Sequence, residues 1–208
     1  FSVFASTAVV MIALMFKNGY GLEHAFRNSL FEVVTALTTT GFANDNAGNW
    51  AHITWVVIIV CMFLGANSGS TSGGFKSIRS VMVIKIIKNE FRQMLHPNAI
   101  VPLKLNSINV PMQKRVTLLA FLASYLLILA ISIFLMSLAG VESVDCVSIS
   151  FSALGNVGPA FGNDIGPNDS WAILPDSCKW ISSILMLIGR LEIFSVLIIF
   201  TPAYWREN

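Results

Sequence analysis

The sequence predicts an all-α membrane protein built from two repeats of a helix, a short helix and a second helix. Three observations support this fold class. First, 55% of the 208 residues are hydrophobic and only 12% are charged, about half the charged fraction of an ordinary soluble domain. Second, long apolar runs recur along the chain. Third, eight of the 13 Lys and Arg residues lie within 76–115, whereas 17–51 and 141–179 are mainly acidic, so the positive-inside rule assigns 76–115 to the cytoplasmic side.

Five apolar segments are candidates for the long helices, and they are 1–16, 50–66, 75–88, 112–139 and 180–202. A helix needs about 20 apolar residues to cross the hydrocarbon core. Segments 112–139 and 180–202 meet this length, and the cations and aromatic side chains at their ends are typical interface anchors. Two amphipathic segments, 23–37 and 142–154, are too short to span, so we expect each to enter the membrane and turn back.

Each short segment ends in a glycine-containing turn, and the two turns recur at one spacing. Superimposing them places Gly41 over Gly158, an offset of 117 residues (158 − 41). The chain then reads twice as helix, short helix, turn and helix, with repeats over 1–94 and 112–208. Residues 95–111 contain three prolines and no periodicity, so we expect a cytoplasmic connector there.

The turns "TTTG" (38–41) and "NVG" (156–158) have the composition of a cation path. Backbone carbonyls on a short extended loop can replace the hydration shell of a cation, and glycine adopts the dihedral angles that such a loop requires. A plain helix end also uses glycine, and it explains either turn alone equally well. Two turns at equivalent positions favour the ion path. Asp45, Asp164 and Asp169 would attract cations to a mouth, although solvated loops explain them too.

The segment "GANSGSTSGG" (65–74) interrupts an apolar run. Gly and Ser at this density do not sustain a helix, and irregular backbone at membrane depth must be buried in protein or line a water-filled cavity. A loop that obstructs an ion path and a plain cytoplasmic loop both fit. A nucleotide-binding P-loop is disfavoured, because Phe75 separates Gly74 from Lys76.

Arg190 lies inside the apolar segment 180–202, ten residues after Trp180 and fourteen before Tyr204. This spacing predicts a position near the bilayer midplane, where a charge costs at least a few kcal/mol. A pair with Glu192 is unfavourable, because residues two apart on a helix do not face each other. A pair with a carboxylate of another repeat and an electrostatic barrier in an ion path remain as interpretations.

The chain shows little sign of other chemistry. Cys146 and Cys178 both fall on the predicted outer side, where a disulfide is possible, but we expect free thiols. The sequence contains no metal-ligand spacing and no nucleophile–base pair, so we expect no enzyme. Nothing besides the basic run suggests nucleic-acid binding.

Four motifs, "ALTTTGF", "GANSGSTSGGFKS", "SALGNVGPAFG" and "LIGRLEIF", together resemble the membrane subunits of the Trk/Ktr/HKT superfamily of potassium transporters. The bacterial Trk (TrkH-like) type is the most similar. The resemblance covers essentially the whole chain. It implies that the chain corresponds to the third and fourth of four helix–pore-helix–helix (M1-P-M2) repeats around one pseudo-fourfold, potassium-channel-like pore.

The resemblance also implies roles for individual residues. The selectivity filter would comprise Thr39, Thr40, Gly41, Asn156, Val157 and Gly158. K⁺ would bind at Thr40, Gly41, Val157 and Gly158. The gate would comprise Arg190 and loop residues Gly65, Asn67, Ser68, Gly69, Ser70, Thr71, Ser72, Gly73 and Gly74. Pro159 replaces the aromatic residue of an ordinary potassium-channel filter and removes a donor, so we expect a less symmetric filter.

The resemblance implies channel-like potassium uptake by a multi-pass protein of the bacterial inner membrane, in contact with lipid, with K⁺ as the ion and no covalent cofactor. It implies a homodimer and a cytosolic nucleotide-binding regulatory ring (TrkA-like) on 76–115. The chain begins within an apolar run and without methionine, so we expect a fragment or processed piece. Two repeats supply half a pore, so we expect the other two from elsewhere. A proton- or sodium-coupled secondary transporter with a broken-helix site is the alternative, for which Glu32 and Glu192 are the available carboxylates.

Overall fold

The computed structural model describes residues 2–45, 47–67, 69, 73–96, 103–105, 108–199, 201 and 204–205. The described residues form eight α-helices and one small hairpin. The helices are α1 (Ser2–Asn18), α2 (Leu22–Thr38), α3 (His52–Leu64), α4 (Ser77–Leu95), α5 (Met112–Leu138), α6 (Ser143–Gly155), α7 (Asp176–Arg190) and α8 (Ile193–Ile199). The hairpin pairs β1 (Lys104–Leu105) with β2 (Ile108–Asn109) in antiparallel register.

The two short helices predicted between the long ones are present as α2 and α6. Their bounds differ from the predicted segments by one residue at each end. Helix α2 buries one face and exposes the other, which includes Leu22 and Phe26. The side chains of α6 are almost all buried from Asp145 to Gly155, which is the pattern of a helix surrounded by others.

The length and composition of α5 suit a membrane crossing, and it is the one helix among the described residues that passes this test by itself. Helices α7 and α8 pass only when they are taken together, and they meet at an angle of 110°. The continuous helix predicted over 180–202 is therefore wrong. Glu192 has a φ of 61°, a left-handed conformation that an α-helix of L-residues cannot continue through.

A connector was predicted over 95–111. In the structure it begins one residue later than predicted, because α4 continues to Leu95. Its described part contains the short hairpin, which the sequence did not predict. The amide of Val110 donates to the carbonyl oxygen of Leu103 at 2.9 Å, and the Lys85 ammonium donates to the carbonyl oxygen of Lys104 at 3.0 Å. The hairpin is therefore tied back to α4.

Two clusters of buried apolar side chains form the core, and each belongs mainly to one predicted repeat. The first lies among α1, α2 and α3, and the second lies mainly among α5, α6 and α7. The clusters exchange members: Phe75 and Ile86 of the first repeat pack in the second cluster, and Val157 and Phe161 of the second pack in the first. This exchange brings the turn after α6 against the first repeat.

Candidate functional site

The turn after α2 begins with a residue in the left-handed conformation. Thr39 has a φ of 56° and a ψ of 35°, which is a rare conformation for a β-branched residue. The amide of Thr40 donates to the carbonyl oxygen of Thr35 at 3.1 Å, and the amide of Phe42 donates to the Thr35 hydroxyl at 2.8 Å. Thr35 therefore holds both sides of Gly41, whose φ is 77°.

The turn after α6 has a similar construction, although its anchoring hydroxyl accepts from the glycine amide and not from the residue that follows the glycine. Asn156 has a φ of 55° and a ψ of 41°. The amide of Val157 donates to the carbonyl oxygen of Ser152, and the amide of Gly158 donates to the Ser152 hydroxyl, both at 3.0 Å. Ser152 lies 117 residues after Thr35, so the two anchoring hydroxyls occupy equivalent positions. The sequence analysis missed both, although a hydroxyl residue at the same place in each repeat was a usable signal.

The two turns lie against each other. A Cβ atom at Gly41 would collide with the carbonyl oxygen of Val157 and would lie 3.5 Å from Cδ of Pro159. Glycine is therefore required at position 41 both for its positive φ and for this close approach. Gly158 has a φ of 111°, but a Cβ atom there would meet no atom within 4 Å, so its open side faces away from the described chain.

Polar side chains of the two short helices also hold the segments that follow the turns. Asn28 on α2 donates to the carboxylate of Asp45 at 2.7 Å. Asp145 on α6, 117 residues after Asn28, accepts from the amides of Asp164 and Ile165 at 3.2 and 3.1 Å. Each helix therefore positions both the turn and the segment that follows the turn.

The predicted outer acids have different surroundings. Asp45 is half-buried, and its carbonyl oxygen accepts from the Asn168 side chain at 3.1 Å, which links the segments that follow the two turns. Asp169 is exposed and accepts from the amide of Gly166 at 2.8 Å. Asp164 is exposed and belongs to a group of three carboxylates that includes Asp145. These acids lie beyond the turns, as expected; the carboxylates of Asp45 and Asp169 accept hydrogen bonds, and Asp164 is held through its backbone amide.

The interruption between α3 and α4 is a loop with joined ends. The amide of Phe75 donates to the carbonyl oxygen of Phe63 at 3.0 Å. The amide of Ser77 donates to the carbonyl oxygen of Ala66 at 3.1 Å, and its hydroxyl donates to the carbonyl oxygen of Gly65 at 2.8 Å. The chain thus leaves the helical path, returns to the same point and starts α4.

This loop packs beneath the end of α6. A Cβ atom at Gly73 would collide with the carbonyl oxygen of Gly155, and one at Gly189 of α7 would collide with that of Leu154. The last carbonyls of α6 are therefore covered by two glycines from different elements. These are the carbonyls that a helix leaves without intrahelical partners.

The loop residues predicted for the gate are only partly described. Gly65 and Gly73 are buried, Gly74 is half-buried, and Asn67 and Gly69 are exposed. Gly65 and Gly74 have positive φ angles of 60° and 78°. The predicted gate residues Ser68, Ser70, Thr71 and Ser72 lie outside the described residues.

Arg190 is the last residue of α7 and is exposed on this chain. The spacing predicted that Arg190 lies in the middle of a straight helix. The structure places it at the end of α7 instead. Arg190, Gly74 and Leu154 line one cavity of about 260 Å³. The structure therefore brings Arg190 to the same cavity as the predicted gate loop and the end of α6.

Three charged side chains that the sequence analysis did not combine form a bridge on the wall of this cavity. The Glu192 carboxylate binds the Lys76 ammonium at 2.8 Å and the Arg79 guanidinium at 3.1 Å. The guanidinium also lies 4.1 Å from the ring centre of Phe121. We call Lys76, Arg79 and Glu192 the ion bridge. The ion bridge joins the start of α4 to the break between α7 and α8. The sequence feature that could have indicated it is Glu192, a carboxylate inside an apolar run.

Two further observations concern buried groups. Cys61, Cys146 and Cys178 are buried free thiols, which confirms the prediction for Cys146 and Cys178. Glu32 on α2 is fully buried; one carboxylate oxygen accepts from the amide of Asn44 at 3.4 Å, and the other has no partner in the described part of the chain.

Comparison with known proteins identifies related sequences. The family described as "TrkH: Cation transport protein" matches residues 6–207. The chain is 33% identical over 199 residues to the Trk system potassium uptake protein TrkH of Halomonas elongata, covering 96% of this chain and 41% of that protein. It is 36% identical over 179 residues to TrkI of the same organism, covering 85% and 36%. It is 31% identical over 205 residues to TrkH of Escherichia coli K12, covering 98% and 42%.

The fold is also similar to that of a solved structure. The crystal structure of the potassium transporter TrkH from Vibrio parahaemolyticus superimposes with a TM-score of 0.90 at 28% sequence identity, covering 98% of this chain and 43% of that one. The chain spans about two fifths of the length of the curated relatives it matches.

Proposed function

Because this chain belongs to the TrkH family of cation transport proteins, we propose that it is part of a membrane protein that translocates potassium through a filter. The observation that carries the proposal is the pair of turns after α2 and α6. They share one backbone path, they are anchored by equivalent hydroxyls, and Gly41 lies against the Val157 carbonyl. A plain helix end requires none of this pairing.

The proposed filter consists of Thr39, Thr40 and Gly41 from one turn and Asn156, Val157 and Gly158 from the other. In each turn a residue with positive φ precedes one with negative φ and then a glycine with positive φ. Such alternation turns successive carbonyls toward one side, where they can replace the hydration shell of K⁺. The carboxyl-terminal ends of α2 and α6 add partial negative charge at the turns, which favours a cation there.

We propose two M1-P-M2 repeats over 1–94 and 112–208, connected through 95–111. Helices α1, α2 and α3–α4 have the same order as α5, α6 and α7–α8. The last helix of each set, α4 or α8, follows a break. The outward apolar side chains of α5, such as Leu127 and Phe134, are exposed, as a lipid-facing surface requires. A multi-pass location in the bacterial inner membrane follows from this proposal.

The rest of the assembly is proposed on the same basis. The relatives are more than twice as long as this chain, so the other two repeats would complete the pore on the open side of Gly158. A homodimer and a cytosolic nucleotide-binding ring of the TrkA type on segment 76–115 complete the proposal. We propose no enzymatic activity, since the relatives are named as transport and uptake proteins.

We propose that the loop from Gly65 to Gly74 and Arg190 form a gate below the filter. Gly74 and Arg190 line one cavity, and Gly73 lies against the end of α6. A fixed guanidinium about 5 Å from a K⁺ ion costs about 3 kcal/mol at an effective dielectric constant of about 20. A barrier of this size slows ion passage by roughly 100-fold, so the loop and the arginine would have to move for conduction.

A proton- or sodium-coupled transporter is the second candidate, and Glu32 is the observation that favours it. This carboxylate is fully buried on α2, with one oxygen lacking a partner in the described part of the chain. A buried carboxylate of this kind can carry a proton. Glu192, the other available carboxylate, is engaged in the ion bridge.

The test is ⁸⁶Rb⁺ uptake into proteoliposomes that contain the full-length protein, comparing wild type with Arg190→Ala and with a deletion of 67–73. Both variants should take up Rb⁺ faster than wild type, and Arg190→Lys, which keeps the charge, should not. If neither variant is faster, the gate assignment is wrong. If the wild type and both variants are all inactive, the transport assignment is wrong. Rb⁺ accumulation driven by a pH gradient at fixed stoichiometry would favour the coupled transporter.

A further inference from the structure

A second cavity opens between α4, α5 and α8, and it adjoins the first one, with which it shares Arg79, Phe121 and Glu192. Its volume is about 390 Å³. Its charged lining residues include Arg79 of α4 and Lys114 of α5, and its apolar lining residues include Met82, Phe121 and Phe194. The cavity therefore combines cations with an apolar wall.

The cations outnumber the carboxylates that face this cavity. Glu192 also lines it, but its two oxygens bind Lys76 and Arg79 at 2.8 and 3.1 Å. The Lys114 ammonium is exposed, and it forms no ion pair within the described ranges of the chain. The guanidinium of Arg79 has five N–H donors, of which the bridge to Glu192 uses one side. The cavity thus presents an uncompensated positive charge to a small anion.

The polarity of the lining changes with depth along α5. Lys114 lies in the first turn of α5, and Phe121 lies seven residues later, about 10 Å along the helix axis. Leu118 and Phe121 are buried against the cavity, and Phe194 on α8 is 38% exposed beside it. A cation at one end of the cavity, followed within about 10 Å by apolar side chains, matches the order of phosphate, glycerol and acyl chain in a phospholipid.

We propose that this cavity binds the headgroup of an anionic phospholipid of the cytoplasmic leaflet. Its phosphate would lie between Lys114 and Arg79, and an acyl chain would run along Phe121 and Phe194. A free phosphate would use the two cations but not the apolar wall, so the wall favours a lipid. This inference concerns a site away from the proposed filter and does not depend on which ion is transported.

The binding would reach the ion bridge through a shared residue. Arg79 faces the cavity and also binds Glu192, so a bound phosphate and the Glu192 carboxylate would share one guanidinium. The lipid composition of the inner leaflet would thereby act on the break between α7 and α8.

The experiment is a native mass spectrometry titration of the delipidated full-length protein with phosphatidylglycerol and with phosphatidylcholine. Wild type should bind the first phosphatidylglycerol more tightly than phosphatidylcholine. Lys114→Gln should weaken that step by about fivefold, the contribution of one basic residue at a membrane surface, and should weaken phosphatidylcholine binding less. Lys114→Arg should retain wild-type binding. Lys88→Gln, an equal change in charge at an exposed position of α4 outside the cavity, should have no effect.

Three results would overturn the proposal. Equal affinity of the wild type for the two lipids would remove the charge selectivity. An equal loss in Lys114→Gln and Lys88→Gln would indicate a diffuse basic surface instead of a site. Competition by water-soluble glycerophosphoglycerol at the same concentration as the lipid would indicate a site for free phosphate, with no part for the apolar wall.

Discussion

The ion bridge makes a quantitative prediction about how the two helix breaks are held together. Glu192→Gln preserves the size of the side chain and the backbone conformation but removes the negative charge. The Lys76 ammonium and the Arg79 guanidinium, which lie 2.8 and 3.1 Å from the carboxylate oxygens, then face each other without an anion between them. The break between α7 and α8 loses its link to the start of α4.

The exposure of the three side chains sets the expected magnitude. An exposed ion pair contributes about 0.2–1 kcal/mol, and breaking a buried one costs about 3–5 kcal/mol. The side chains of Lys76, Arg79 and Glu192 are 17%, 21% and 45% exposed, so solvent screens the bridge in part. We therefore expect Glu192→Gln to lower the free energy of unfolding by about 2 kcal/mol, between these two limits.

A double-mutant cycle measures the coupling directly. The free energy of unfolding of the full-length protein in mixed micelles is measured for Glu192→Gln, Lys76→Gln and the double variant, and we expect a coupling energy of about 1 kcal/mol. The matched control is the pair of Lys179 and Asp176, which lie 3.0 Å apart with side chains 42% and 92% exposed. A coupling no larger than that of the control would refute the structural role of the ion bridge.

A glycine variant separates the charge from the backbone. Glu192 has a φ of 61°, and the left-handed conformation costs an ordinary L-residue about 1–2 kcal/mol. Glu192→Gly loses the bridge but adopts this conformation without steric cost, so it should be about 1 kcal/mol more stable than Glu192→Gln. Equal stability of the two variants would show that the backbone at this break is not strained.

Two more predictions concern the turns and the thiols. Gly41→Ala should abolish Rb⁺ uptake, because its Cβ atom must displace the Val157 carbonyl. The control is Gly140→Ala, where φ is 87° and a Cβ atom has no neighbour within 4 Å; it should cost only about 1–2 kcal/mol of stability and leave uptake unchanged. Equal uptake by the two variants would contradict the filter assignment. Maleimide should label the three buried thiols only after unfolding, and rapid labelling of the folded protein would contradict the observed packing.

The local features of this fold could be predicted because they follow from short stretches of sequence. The amphipathic pattern and the following glycine indicate both the short helices and their turns, since helix periodicity and helix termination are local properties. The spacing of 117 residues between Gly41 and Gly158 could be found in the same way. For these elements the bounds agree within one residue.

Features that depend on distant contacts could not be predicted. The apolar run 180–202 has the composition of one helix, and hydropathy carries no information about the left-handed conformation of Glu192. Its partner Lys76 lies 116 residues earlier in the chain, where the local pattern shows only a basic segment. The approach of Gly41 to the Val157 carbonyl is equally distant in sequence. The cavity that Arg190 lines results from the same bend, so its position also required the structure.

The contact between Gly41 and the Val157 carbonyl has a consequence for how this chain can change over generations. Two similar structural units in one chain can ordinarily diverge independently when each has its own core. Here the turn of one unit packs directly against the turn of the other. A side chain gained at position 41 therefore requires a compensating shift at 157, and a turn transplanted from a relative needs its neighbour transplanted with it.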